Sequence, residues 1–223
     1  MKTKVIFSWS GGKDSALALH KILNNNKYEV INLITTVTEG YNRISMHGVS
    51  IELLEEQVKS IGIPLYKIVI PQQCSNEDYN NSMQKAMDFF LKQDINTVVF
   101  GDIFLEEIRN YRIKQLSQVG MKAIFPLWGE KTSEISNEFI EKGFKTIISC
   151  VDTRVLDHSF SGRIYDKYFM NDLPSTCDPC GENGEFHSFV YDGPIFSTKI
   201  SIETGIKTLQ NEFFYYTDIV KLH

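Results

Sequence analysis

Eight residues near the amino terminus, Ser8 to Ser15, constrain the fold of this chain more than any other segment. They follow the apolar run Val5–Phe7 and precede a segment, 16–23, whose apolar residues recur at helical spacing. The eight residues read Ser-Trp-Ser-Gly-Gly-Lys-Asp-Ser, and glycine permits the tight backbone bend that a strand-to-helix turn requires. The sequence therefore predicts a strand, a glycine turn and a helix in direct succession.

A turn of this kind is suited to binding phosphate. Backbone N–H groups at the start of a helix and the positive end of the helix dipole point towards one position. Lys13 adds a positive charge, and Ser10 and Ser15 add hydroxyl donors. The common phosphate loop, G-x-x-x-x-G-K-S/T, does not match, because Phe7 and Asp14 stand where it requires glycine and a hydroxyl residue. Asp14 would lie beside the phosphates, where a carboxylate is useful if it helps to hold Mg²⁺.

The first two-thirds of the chain alternate between strand-like and helix-like segments. We predict strands at 4–8, 29–37, 65–70, 96–101, 122–124 and 145–151, and helices at 14–25, 50–61, 78–93, 104–118 and 133–142. This alternation favours an α/β fold with a Rossmann-like parallel sheet and helices on both faces. Ligands of such folds bind at the carboxyl ends of the strands. Ser8 at the end of the first strand, Thr35 in the second, and Gly101 and Asp102 after the fourth are therefore candidate nucleotide-binding residues.

The composition changes after about residue 151. Residues 152–186 are polar and rich in turn-forming residues. A strand that ends in a turn follows at 187–194, and two further strand-like runs cover 195–203 and 212–220. We therefore predict two units, a nucleotide-binding domain over 1–151 and a small C-terminal lobe over 152–223 that covers the nucleotide site.

Composition and charge argue against several classes of function. No apolar run among the 223 residues approaches the roughly 20 that a membrane helix needs, and we expect no membrane partner. The amino terminus leads directly into the first predicted strand, without a signal peptide, so we expect a cytoplasmic protein. The net charge of −5 and the lack of a Lys/Arg block argue against nucleic acid as a partner.

A second group of chemically active residues lies in the segment Cys177–Ser188. It reads Cys-Asp-Pro-Cys-Gly-Glu-Asn-Gly-Glu-Phe-His-Ser and includes Glu182, Glu185 and His187. Loops that combine glycine with ionisable side chains are often functional, although this composition is equally typical of a surface turn. The two cysteines supply only two potential metal ligands, so structural, metal-binding and sulfur-transfer roles stay open.

The Ser-Gly-Gly-Lys-Asp-Ser loop resembles the signature of the PP-loop ATP pyrophosphatases. Gly-Glu-Asn-Gly-Glu-Phe in the last third is similar to a motif of the diphthine–ammonia ligase group of that superfamily. Three further stretches support the resemblance in the same chain order: Gly101–Ile103 followed by Arg109, Pro126–Gly129, and Asp192–Pro194. The resemblance implies that ATP is cleaved between its α- and β-phosphates, with release of AMP and pyrophosphate. It also implies that the adenylated carboxylate receives ammonia taken free from solution.

The resemblance implies roles for individual residues. The expected nucleotide-binding residues are Ser8, Ser10, Gly11, Gly12, Lys13, Asp14, Ser15, Thr35, Gly101 and Asp102. The expected catalytic residues are Lys13, Asp14, Glu182, Glu185 and His187, with Asp14 as a ligand of Mg²⁺. His47 and Arg109 are expected to contact the substrate.

The sequence says less about the identity of the acceptor than about the use of ATP. In an archaeal or eukaryotic source, the resemblance implies the diphthine carboxylate on elongation factor 2, and in a bacterium another carboxylate. A tRNA-thiolating enzyme that uses Cys177 and Cys180 as sulfur carriers is one alternative. A regulatory module that binds ATP without turnover is another. The expected partners are ATP, ammonia, a protein or small-molecule carboxylate, and a second copy of the chain in a homo-oligomer.

Overall fold

The computed structural model describes residues 1–40 and 49–222. Its N-terminal part alternates between strands and helices: β1 (Thr3–Ser8), α1 (Lys13–Leu23), β2 (Tyr28–Thr38), α2 (Ile51–Ile61), β3 (Leu65–Ile70), α3 (Asn76–Leu91), β4 (Thr97–Val99), α4 (Glu106–Gln118), β5 (Lys122–Ile124) and α5 (Thr132–Glu141). These are the predicted elements, with ends that differ by no more than two residues. None of the helices in the described ranges combines the length and the apolar character needed to cross a bilayer.

Strands β1 to β5 form a parallel sheet whose two faces are both covered by helices. The consecutive residues Val5, Ile6 and Phe7 of β1 are completely buried. Val5 and Phe7 belong to the apolar core that includes α1 and α2, whereas Ile6 belongs to the core that includes α3 and α4. Successive side chains of a strand point to opposite faces, so each face of the sheet acquires its own core. The predicted α/β class with a Rossmann-like parallel sheet is confirmed.

The order of the strands places the predicted loops side by side. The order is β3-β2-β1-β4-β5. Strands β2 and β3 lie on one side of β1, and β4 and β5 lie on the other, so the order reverses between β1 and β4. Ligands of doubly wound sheets bind where the order reverses, at the carboxyl ends of the strands. The Ser8–Ser15 loop leaves β1 at this edge, and Gly101 follows β4. A Cβ atom on Gly101 would lie 3.1 Å from backbone atoms of Asp14 and Ser15, so the missing side chain lets the two segments touch.

A second sheet, antiparallel and four-stranded, follows in the order β7-β6-β9-β8. Its strands are β6 (Lys145–Asp152), β7 (Phe186–Asp192), β8 (Ile202–Gln210) and β9 (Phe214–Lys221), with a 3-10 turn (His158–Phe160) and helix α6 (Lys167–Asp172) between β6 and β7. The prediction that 145–151 joins the parallel sheet is wrong, because β6 pairs antiparallel with both β7 and β9. A strand with a neighbour on each side is buried along its length, so its apolar pattern imitates that of a parallel strand. The division of the chain at 151 stays a prediction.

The strand predicted over 195–203 is also misplaced, since β8 begins only at Ile202. The apolar residues that suggested it, Ile195 and Ile200, are buried in the core. Between them the backbone bonds to α2 instead of to a strand. The Ser197 N–H donates to the Ser60 carbonyl at 2.9 Å, and the Thr198 N–H donates to Ser60 Oγ at 3.0 Å. A buried serine on a helix thus holds a segment that its apolar pattern had assigned to a sheet.

Candidate active site

The loop between β1 and α1 has a conformation that depends on its glycines. Gly11 has a φ of +80°, in the region that disfavours other residues. Gly12 precedes the first turn of α1, and its N–H donates to Ser10 Oγ at 3.3 Å. The Ser10 hydroxyl donates to Ser15 Oγ at 3.0 Å, and the Ser15 hydroxyl donates to the Gly12 carbonyl at 2.9 Å. The loop is therefore braced by its own serines at a helix N-terminus, the geometry that binds anions.

Lys13 is a buried cation, with 4% of its surface exposed. Its Nζ lies 2.7 Å from Asp14 Oδ2 and also donates to the Cys180 carbonyl. The rings of Tyr165 and Phe186 lie 5.9 and 5.4 Å from Nζ. Burial alone would lower the pKa of Lys13, but the adjacent Asp14 carboxylate raises it above its ordinary value. A protonated lysine, paired with Asp14, thus stands at the N-terminus of α1, a position suited to an anionic ligand.

Strand β7 of the second sheet lies directly against this loop. The Val190 N–H donates to the Gly11 carbonyl at 3.0 Å, and the Lys13 N–H donates to Ser188 Oγ at 3.2 Å. A Cβ atom on Gly12 would lie 3.2 Å from the Ser188 carbonyl, so this glycine allows a close approach of the two chains. Residues from opposite ends of the sequence therefore build one site.

Two carboxylates organise the loop that precedes β7. Glu185, only 5% exposed, accepts the Asp178 N–H at 2.8 Å and two N–H groups of Asn183 at 3.0 Å. Asp178 in turn accepts the N–H groups of Cys180 and Glu182 at 2.9 and 3.1 Å. These bonds close the loop on itself. The catalytic role of Glu185 stays a prediction, and its contacts are those of a residue that shapes the loop.

The exchange Glu185→Gln tests this assignment, because an amide offers one acceptor oxygen where three N–H groups need two. We expect the free energy of unfolding to fall by about 2 kcal/mol, measured by urea denaturation. Glu134→Gln removes a carboxylate from an exposed ion pair with Lys131 and should change stability by less than about 0.5 kcal/mol. Unchanged stability of Glu185→Gln together with lost turnover would instead assign Glu185 to the chemistry.

Glu182 differs from these two carboxylates in its surroundings. Its Oε1 accepts the Ile103 N–H at 3.0 Å, which links the C-terminal loop to the end of β4. The pKa of Glu182 is raised to about 7, chiefly by burial; the Ile103 N–H and Lys13 oppose this shift, and the Asp14 and Asp102 carboxylates add to it. A carboxyl group that titrates near neutrality can both take up and release a proton at physiological pH.

His187 lies at the start of β7, opposite Cys150 of β6. Burial, with a contribution from Lys13, lowers the pKa of His187 to about 4. The imidazole is therefore neutral at physiological pH, and its conjugate acid is too strong for the ring to serve as an effective base there. Of Glu182 and His187, Glu182 has the pKa that is better suited to accepting a proton at physiological pH, and the role of His187 stays a prediction.

Two arginines of α4 stand beside the end of β4. Arg112 binds Asp102, with Nε 2.9 Å from Oδ2, so the Asp102 carboxylate is already engaged in an ion pair. Arg109 lies over the Trp128 ring, with 4.8 Å between the guanidinium carbon and the ring centroid. Arg109 Nε is buried and has no hydrogen-bond partner among the described residues. Arg109 thus keeps hydrogen-bonding capacity for an anionic ligand, as its predicted role requires.

The remaining predicted site residues are less informative. Thr35 lies within β2, buried, where it pairs with Lys67 of β3. The preceding Ile34 accepts the N–H of Trp9 at 2.8 Å, which keeps this part of β2 close to the loop. His47 lies outside the described residues.

Cys177 and Cys180 have the surroundings of structural residues. Both are buried, and burial raises the pKa of each thiol. Cys180 Sγ donates to the Thr132 carbonyl at 3.4 Å. A raised pKa opposes thiolate chemistry, and the described part of the chain has no group of three His, Cys, Asp or Glu residues that could hold a metal. Of the three roles left open by the sequence, the geometry favours the structural one.

Sequence reasoning missed three polar residues that shape the site: Gln57, Asp178 and Ser188. Gln57 had a recognisable signal, because it falls in the apolar stripe of α2 together with Leu53 and Leu54, all three fully buried. A polar residue in such a stripe must have buried partners. Asp178 and Ser188 had no comparable signal, since both residue types are common in turns and at strand ends.

The fold and the site together define an α/β protein with a Rossmann-like core and a glycine loop where its strand order reverses. Family models described as the diphthamide synthase N-terminal and C-terminal domains match residues 1–123 and 131–222. The chain belongs to the diphthamide synthase family, which confirms the resemblance seen in the sequence.

Two curated relatives are similar to most of the chain, and both are named diphthine–ammonia ligase. The protein of Schizosaccharomyces pombe is 25% identical over 88% of this chain and 36% of its own length. The protein of Mus musculus is 22% identical over 88% of this chain and 81% of its own length. The chain thus spans about a third of the yeast relative and most of the mouse relative.

Proposed function

We propose that this chain is an ATP-dependent ligase that converts a carboxylate to an amide with ammonia and releases AMP and pyrophosphate. One juxtaposition carries the proposal. A buried lysine at the start of α1, Lys13, and a carboxyl group with a pKa near 7, Glu182, come from distant parts of the chain and lie close enough for each to influence the pKa of the other. Lys13 can neutralise the departing phosphates, and Glu182 can accept the proton that the attacking ammonia must lose.

The chemistry proceeds in two steps. A carboxylate is a poor acyl donor, so its oxygen first attacks the α-phosphorus of ATP. The bond from the α-phosphorus to the bridging oxygen breaks, and pyrophosphate leaves with the electron pair. Ammonia then attacks the acyl carbon, AMP leaves, and the nitrogen gives up one proton. The amide therefore forms at the expense of one ATP.

The residues divide these tasks. The loop from Ser10 to Ser15 holds the β- and γ-phosphates, and Lys13 neutralises the pyrophosphate as it departs. Glu182 accepts the proton from the nitrogen, and Arg109 orients the anionic acceptor. Asp14 is the carboxylate that would hold Mg²⁺, which supplies charge neutralisation. A single protein carboxylate is a normal share for this ion, because substrate phosphates and water complete its coordination.

The names of the relatives point to diphthine on a protein as the acceptor, and we propose the same class of acceptor here. The raised thiol pKa values of Cys177 and Cys180 count against tRNA thiolation. A module that only binds ATP would have no use for a proton acceptor at Glu182. The cytoplasmic location and the homo-oligomer stay predictions.

The products of ATP turnover test the proposal. The chain is incubated with ATP, MgCl₂, ammonium chloride and a diphthine-bearing acceptor protein, and AMP, ADP, pyrophosphate and protein amide are quantified. We expect AMP, pyrophosphate and amide in equal amounts, with no amide when potassium chloride replaces the ammonium salt. Formation of ADP in place of AMP would contradict the proposal.

A further inference from the structure

A completely buried glutamine joins the Ser8–Ser15 loop, called the nucleotide loop below, to strand β7 of the C-terminal lobe. Gln57 lies on α2 with none of its surface exposed. Its Oε1 accepts the indole N–H of Trp9 at 3.0 Å. Its Nε2 donates to the carbonyls of Gly11 and Val190 at 2.9 and 2.6 Å. The Gln57 side chain therefore contacts two residues of the loop, Trp9 and Gly11, and one residue of strand β7, Val190.

These contacts specify a carboxamide of this length. The indole of Trp9 can only donate, and the two carbonyls can only accept. A glutamate at position 57 would lose the donor, and an asparagine would be one methylene too short. A Cβ atom on Gly11 would lie 2.8 Å from Gln57 Oε1, so the loop packs directly on the amide.

The amide controls the orientation of the Gly12 N–H, which lies in the turn before α1 and donates to Ser10 Oγ at 3.3 Å. The carbonyl of Gly11 and the N–H of Gly12 belong to the same planar peptide, so fixing one fixes the other. The Gly11 carbonyl accepts from two directions, from Gln57 Nε2 and from the N–H of Val190. The peptide that opens the phosphate-binding turn is thereby held at a single angle.

We propose that Gln57 is a positioning residue that sets the phosphate-binding geometry of the loop and couples it to strand β7. The inference rests on the proposed function for the identity of the ligand, ATP. Because β7 also carries Ser188, whose Oγ accepts the Lys13 N–H, the same amide keeps this strand in register with the phosphate-binding turn.

A neighbouring residue offers a matched control. Ser60 lies about one helical turn beyond Gln57 and is also buried. Its hydroxyl donates to the Thr198 carbonyl at 2.5 Å and accepts the Thr198 N–H. Ser60 thus ties the same helix to the same lobe without contact to the nucleotide loop. Ser60→Ala removes an inter-lobe bond and leaves the phosphate-binding turn unchanged.

The experiment compares the affinity for a non-hydrolysable ATP analogue, measured by calorimetry with Mg²⁺, with the melting temperature. We expect Gln57→Met to weaken binding by roughly tenfold or more, because all three side-chain hydrogen bonds are lost, two of them to the loop. Ser60→Ala should lower the melting temperature while its Kd stays within about twofold of the wild-type value. Trp9→Phe keeps a ring in place but removes the donor to Gln57, and should weaken binding by about threefold. This third variant decides the matter if Gln57→Met does not fold.

Three outcomes would overturn the inference. Equal affinity of the wild-type chain and Gln57→Met would remove the positioning role and leave the proposed function intact. If Ser60→Ala and Gln57→Met lose the same affinity, Gln57 acts only as one of several contacts between the lobes and does not position the loop. A folded wild-type chain that binds no ATP analogue would overturn the proposed function, and this inference with it.

Discussion

Replacing Lys13 with methionine should abolish the conversion of ATP to AMP, with a fall in kcat/KM of at least about a thousandfold. The substitution keeps the length of the side chain and removes a charge that is buried at the start of α1. In the proposed first step one unit of negative charge develops on the departing pyrophosphate, which leaves with the electron pair of the broken bond, and Lys13 is the cation placed to neutralise it. A buried charge acts in a low effective dielectric, so its loss has a larger effect than that of a surface lysine.

The measurement is the rate of pyrophosphate release, with circular dichroism to verify that the variant is folded. Lys21→Met is the matched control. Lys21 lies on the same helix and forms more accessible ion pairs with Glu130 and Glu138. Such pairs contribute about 1 kcal/mol or less, and turnover of this control should stay within about twofold. Wild-type turnover in Lys13→Met would show that the loop does not bind phosphate as proposed.

Glu182→Gln should lower amide formation by about a hundredfold or more, the usual contribution of a general base, while the ATP analogue still binds. A base must be deprotonated to act. With the pKa of Glu182 at about 7, the wild-type rate, measured at a constant concentration of free NH₃, should rise with pH through that region. The variant should lack this rise. Glu106→Gln, on the first turn of α4, removes a nearby exposed carboxylate and should keep both the rate and the profile.

The stability of Glu182→Gln provides a readout that is independent of activity. The pKa of Glu182 is raised in the folded protein above the value of about 4.5 that an unfolded chain would have. Between these values the folded state binds more protons than the unfolded state, so this group lowers stability as pH rises from about 4.5 to about 7. Glutamine does not titrate, and the variant should melt at a higher temperature than the wild type above pH 7. An unchanged melting temperature would argue against a buried Glu182.

The sequence predicted those features that depend on local patterns. The glycine turn at Ser8–Ser15 and the parallel sheet follow from residue spacing and periodicity, and both are found where expected. Strand β6 was assigned to the wrong sheet, because a continuous buried run identifies a central strand without identifying its neighbours. The pairing of strands is a long-range property that apolar periodicity does not encode.

The site shows the same limit. The carboxylates Glu182 and Glu185 stand three residues apart in one motif and look equivalent in the sequence. Only the fold surrounds Glu185 with three N–H donors and raises the pKa of Glu182. Burial also lowers the pKa of His187, the third ionisable residue expected to be catalytic in this segment, to about 4. Such differences arise from burial and neighbours that lie far away along the chain.

The contact between strand β7 and the nucleotide loop has a consequence for how the molecule is made. Lys13 and Ser188 are 175 positions apart, and the bond between them closes almost the whole chain into one ring. Contacts of such separation carry a large entropic cost and form late in folding. During synthesis the Gly11 carbonyl must wait for Val190, and the core that contains Val5 and Phe7 must wait for Phe189. An unfinished polypeptide that has not reached β7 therefore lacks both part of its core and part of its candidate site.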